Sequence, residues 1–233
     1  MSVHYLVNGI VSAAGIPGDL AGPAITSGQI AALVTPVPSA RSETLFDDPD
    51  TARDLALEHH ERLVELVRHM DVLPIRLGAV YSSENAVREK LRQQEELFRS
   101  ALAELSGQAE YLATLTRAER PAADETPSAR SGRAYLSQRR QARRAKEARR
   151  DSGERLVAGI TEAVRTFAAS VVAEPVRGDR PREIGRIAFL AEKEIPERAL
   201  AVLEDCAGHC RAAGVEMAVT GPWPPYSFTR GGA

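Results

Sequence analysis

Only two cysteines, Cys206 and Cys210, occur in 233 residues, too few for a disulfide framework and in keeping with a reducing compartment. No uninterrupted apolar run reaches the roughly 18 residues of a membrane span. The most hydrophobic helix-like stretch, Leu156 to Ala173, is broken by Glu162 and Arg165. The opening MSVHYLVNGIVSAAG lacks a basic n-region, so a strand is expected there rather than a signal peptide. A net charge of −2 supplies no global field toward nucleic acid or an anionic membrane. The phosphate-cradling loop GxxxxGK[ST] and the nucleophile elbow GxSxG are both missing. The glycines of GIPGDLAG at 15–22 do not match a dinucleotide fingerprint. Aromatics make up only 5% of the chain, which makes any cluster of them conspicuous.

What is present divides into two halves. Residues 3–11 and 28–37 read as strands, and the acidic turn DDPD at 47–50 opens an amphipathic helix carrying Leu55, His59, Leu63, Leu66 and Met70. A third strand, Pro74 to Tyr81, ends at Ser82-Ser83, good N-caps for a helix with the stripe Val87, Leu91, Gln94, Phe98, Leu102 and Leu105. A fourth strand covers Glu110 to Leu115. Four strands with two helices predict a ferredoxin-like α+β domain over residues 1–118. Residues 119–131, rich in Pro, Ala, Ser and charge, read as the linker. An α/β domain over 132–219 follows, with a long helix bearing Leu156, Ile160, Val164, Phe167 and Val171 on one stripe. Gly153 is a point where that helix is expected to bend or restart. A strand at Ile184–Ala191, a helix between Pro196 and Gly214, and a strand at Val215–Thr220 deliver the chain into a tail over 220–233.

Two groups invite a chemical reading. Cys206, His209 and Cys210 suggest metal ligands, yet both thiols lie on an apolar stripe with Ala199, Leu203 and Ala213, and no further cysteine completes a set of four. Glu58-His59-His60-Glu61 suggests acid–base work, but adjacent helical residues do not face each other, and His59 reads as a hydrogen-bonded histidine at the core edge. The expectation is a protein without catalytic residues, metal, cofactor or small-molecule substrate.

The strongest charge anomaly lies between Arg130 and Arg150, where Arg139, Arg140, Arg143 and Arg144 stand with five further cations against Glu147. Such a segment cannot enter a core and must meet solvent or an acidic partner. Nucleic acid is the alternative partner; against it, Tyr135 is the only aromatic among these charges. The other anomaly is GPWPPYSF at 221–228. Its three prolines make the segment extended and stiff, so little entropy is lost when it docks. Trp223, Tyr226 and Phe228 each carry a large apolar area. With Pro224 and Pro225 they read as anchors that hold the tail against this chain or a partner.

TGPWPPYSF at 220–228 closely resembles the C-terminal signature of the gas vesicle accessory proteins of the L and F type, the GvpL/GvpF family. The resemblance continues in matching order through HYLVNGIV, IAALVTPVP at 30–38, the helix with His59-His60, VLPIRLGAV at 72–80, GRAYLSQRR at 132–140 and IAFLAEKE at 187–194. Leu77 and Ala79 depart from the family's Phe and Thr, and AEYLATL at 109–115 is a loose match. The resemblance implies a non-enzymatic protein of gas vesicle formation, located at the vesicle or in the cytoplasm. It implies two domains with the tail folded back. Its expected partners are the small hydrophobic shell protein and other accessory proteins, and no membrane.

Overall fold

The computed structural model describes residues 2–16, 22–42, 45–118, 132–174 and 182–229, the side chains of residues 41 and 132–134 excepted. The expected linker, 119–131, lies outside the described residues. The chain divides into two compact units, one of Met1–Tyr111, Leu190–Glu194 and Gly221–Ala233, the other of Leu112–Phe189 and Ile195–Thr220. The tail thus belongs with the N-terminal residues.

In the first unit, β1 (Val3–Ser12) is the central strand of a sheet ordered β2-β3-β1-β4, with β2 at Ala24–Ser27, β3 at Ile30–Pro38 and β4 at Val72–Pro74. A two-residue strand, β5 (Val80–Tyr81), also pairs with β1, and every pairing is antiparallel. The β2–β3 hairpin turns at Gly28-Gln29, where Gly28 adopts φ +59°. Both faces of β1 and β3 are buried. Ile30, Ala32 and Val34 face a cluster with Val87, Leu91, Phe98 and Leu102, whereas Ala31 and Leu33 face one with Leu63 and Leu66.

The sheet therefore has helix on each side: α1 (Pro49–Val67) on one face, α2 (Glu84–Gln93) and α3 (Glu95–Glu104) on the other. This differs from the expected ferredoxin-like domain, whose helices share one face. Its expected fourth strand, β6 (Gln108–Arg117), pairs in the second sheet instead. Asp48 caps α1 by accepting from the Thr51 amide at 2.9 Å, and Ser83 caps α2 by accepting from Ala86 at 3.2 Å. Gln94, at φ −118°, separates α2 from α3 within what the apolar stripe predicted as one helix. The predicted strand over Pro74–Tyr81 is mostly not strand: β4 ends at Pro74 and pairing resumes only at Val80–Tyr81.

The second sheet runs β7-β8-β6-β9, with β7 at Ser170–Glu174, β8 at Glu183–Glu192 and β9 at Val215–Trp223. In the second unit, α4 (Gly132–Arg165) packs against β7 and α5 (Glu197–Ala212). It is continuous through Gly153, which is buried with Ile184 and the Arg117 guanidinium beside it, so tertiary packing and not local propensity carries the helix through the glycine. Val171, placed on the helical stripe by spacing, lies in β7.

Candidate functional site

The first site grows from an irregularity in β1. Its register with β3 shifts between Val7 and Gly9, leaving Asn8 as a bulge. Asn8 is 1% exposed. Its amide nitrogen donates to Thr35 Oγ1 at 3.0 Å, so its oxygen faces His59 Nδ1 at 3.0 Å, and that nitrogen must carry the proton. Arg62, one turn on, donates to the carbonyls of Val34 at 2.9 Å and Pro23 at 3.2 Å. Burial lowers the His59 pKa, and the neighbouring His60 and Arg62 push it the same way. A neutral, immobilised His59 holds α1 to the sheet.

That assignment has a pH signature. Below the ordinary imidazole value of about 6.5 the unfolded chain takes up a proton that folded His59 resists. Stability present above that value is therefore lost as the solution is acidified through it toward the lower folded value. The thermal midpoint should fall between about pH 7.5 and pH 5.5. His59→Gln should lower the midpoint at neutral pH by the equivalent of about 1–2 kcal/mol and flatten the slope. An unchanged slope in the variant would assign the acid sensitivity elsewhere.

Against the exposed side of this network lies the tail. The His60 ring sits 5.6 Å from Trp223 and 5.9 Å from Tyr226, centroid to centroid, and the Tyr226 hydroxyl is 3.4 Å from His60 Nδ1. Pro224 and Pro225 are buried, Trp223 is partly buried in β9, and a 3₁₀ turn spans Tyr226–Phe228. Phe228 packs on the cluster that contains Val7 and Phe98. Tyr226 keeps 39% of its surface exposed, yet desolvation of its hydroxyl, helped by Glu110, pushes its pKa up to about 12. Glu110 itself is buried and accepts from the Ser227 amide and hydroxyl, both at 2.8 Å. Glu110 and Asn8 went unread as functional residues in the sequence. A lone carboxylate between Ala109 and Tyr111 in an apolar strand is the signal for the first, whereas a bulge leaves none for the second.

The second site is the basic half of α4. Arg139, Arg140, Arg143 and Arg144 are all exposed. Arg143 donates to Glu147 at 2.8 Å, and Arg150 to Glu154 at 2.8 Å. Cys206 and Cys210 are buried free thiols on α5 with Ala199 and Leu203, and burial raises both pKa values. Ala213, expected on that stripe, is exposed. Among the described residues no group of three His, Cys, Asp or Glu could hold a metal. None of the described helices is long and apolar enough to cross a membrane.

Two sheets with helices packed on them define a mixed α+β protein whose distinctive features are an anchored aromatic tail and a long cationic helix. The model of the gas vesicle synthesis protein GvpL/GvpF family matches residues 9–230, and the chain belongs to that family. It is 29% identical over 195 residues to gas vesicle protein L of Streptomyces sp. (strain CB03234), covering 78% of this chain and 71% of that one. The fold is shared with crystal structures of gas vesicle protein GvpF. The Anabaena sp. PCC7120 protein has a TM-score of 0.65 at 17% identity, covering 99% of this chain and 97% of that one. The Microcystis aeruginosa protein has 0.68 at 16% identity, covering 99% and 100%.

Proposed function

We propose that this chain is an accessory protein of gas vesicle formation that works by binding rather than catalysis. It holds the small hydrophobic shell protein and other accessory proteins during assembly, at the vesicle or in the cytoplasm. The single observation behind this reading is the family match across residues 9–230. The residues are consistent with it: His59 is committed to Asn8, and the tail to Glu110 and His60. In this reading the tail is a clasp that keeps the first unit closed, and Arg139, Arg140, Arg143 and Arg144 form the docking face.

The test is capture of purified shell protein by the immobilised chain. Changing all four arginines to Glu should weaken capture by about tenfold or more, the scale of a lost hot spot. Retained capture would remove α4 from the docking face. Absence of capture by the unaltered chain would remove shell binding itself.

A further inference from the structure

Every residue of α4 from Tyr135 to Ser152 is exposed. At about 1.5 Å per residue that is about 26 Å of helix presented to solvent. Seven cationic side chains stand in it against two carboxylates, Glu147 and Asp151. Arg143 and Arg150 are met within the helix, but pairs this exposed are weak and exchange readily.

The cations are not equivalent around the axis. At about 100° per residue, Tyr135, Leu136, Arg139, Arg143, Lys146 and Arg150 share an arc of about 100°, while Arg140 and Arg144 point about 90° and 130° from its centre. Tyr135 is 53% and Leu136 55% exposed. One face of the helix thus begins with an apolar pair and continues as four cations. Leu136 favours the helix by propensity, but Tyr135 does not, and together they leave an exposed apolar pair at the head of the cationic row. Tyr and Arg are the residues that most often anchor protein interfaces.

We infer that this face is a linear recognition element for a protein groove, with an apolar socket for Tyr135 and Leu136 and a row of carboxylates for Arg139, Arg143, Lys146 and Arg150. Charge complementarity sets the sign of the partner's row, and the apolar pair sets its direction. Nucleic acid fits less well. A phosphate backbone would also accept a one-sided row of cations, but it gives Leu136 no role, and the chain as a whole carries −2. The inference rests on the binding reading above and narrows it, because Arg140 and Arg144 leave the interface.

Purified gas vesicle shell protein is the probe, titrated onto the immobilised full-length chain, with a labelled DNA duplex as a parallel probe. Tyr135→Ala and the pair R139Q/R143Q should each weaken shell-protein binding by about tenfold or more, as for central anchors, whereas R140Q/R144Q should cost less than about threefold. All five positions are exposed, so far-UV circular dichroism should be unchanged. Equal losses from the two arginine pairs, or no loss from Tyr135→Ala, overturn the face while leaving shell binding standing. If the unaltered chain captures no shell protein, the functional reading and this inference fall together. Duplex binding that falls steeply with salt and is weakened by R139Q/R143Q but not by Tyr135→Ala would assign the helix to nucleic acid and overturn the protein groove.

Discussion

Replacing Gly221 by alanine is expected to release the tail and destabilise the chain by about 2–6 kcal/mol. Gly221 adopts φ +139°, a region L-residues enter at a cost of about 1–3 kcal/mol. A Cβ there would stand 2.7 Å from Tyr111 Cδ1 and 2.9 Å from the Glu110 carbonyl oxygen. Neither neighbour can give way. Tyr111 is buried and its hydroxyl donates to the Lys193 carbonyl at 2.6 Å, while the Glu110 carbonyl belongs to β6. Overpacking of this kind adds about 1–3 kcal/mol. Trp223 is the only tryptophan, two residues on and partly buried against His60, so it reports directly on the tail. The thermal midpoint should drop by about 4–24 °C, at about 2–4 °C per kcal/mol for a chain of this size, and the Trp223 emission should shift to the red. A midpoint and emission equal to those of the parent protein would mean the tail tolerates a side chain here and is not held by Glu110 and Tyr111.

The parts of this arrangement that the sequence reveals are those written in short-range chemistry. The Val/Ile-rich β1 and the apolar run of β8, the caps Asp48 and Ser83, and Gly214 closing α5 at φ +69° each follow from local preference. The tail's stiffness follows from its prolines alone. Where the reading departs from the structure, a longer-range term decides. The stripe from Val87 to Leu105 runs unbroken through Gln94, so periodicity cannot see that two helices meet there. Val171 keeps helical spacing with Phe167 but sits in β7, since its strand partner is set by the sheet and not by its neighbours in sequence. β6 is equally strand-like in either sheet, and only the burial of both faces of β1 and β3 shows why the first sheet takes a helix on each side. Glu110 is legible as an oddity in an apolar strand, whereas its partner Ser227 lies 117 residues away.

The basic face of α4 can be useful only if the rest of that helix is fixed, and Phe189→Ala tests this. Phe189, on β8, is 0% exposed and meets the Phe167 ring edge-on at 5.8 Å, just beyond the C-terminal end of α4. The last turns of α4 are themselves buried through Ile160 and Val164. Removing a fully buried phenylalanine side chain costs about 3–5 kcal/mol, because the cavity left behind collapses only in part. The edge-to-face pair adds about 0.5–1.5 kcal/mol that a non-aromatic replacement also forfeits. Phe189→Leu keeps much of the volume and should therefore cost less, about 1–2 kcal/mol, by losing the ring pair and a little packing. Denaturant unfolding should show the alanine variant well below the leucine variant in midpoint. Tyr135 and Arg139 lie at the far, exposed end of the same helix, so where the leucine variant remains folded the proposed binding to shell protein should stay within about threefold of the parent. A leucine variant that unfolds no more easily than the parent yet loses binding would mean that the second-unit core does more than hold α4. Parent-like stability of both variants would mean that this ring pair is not what fixes the helix.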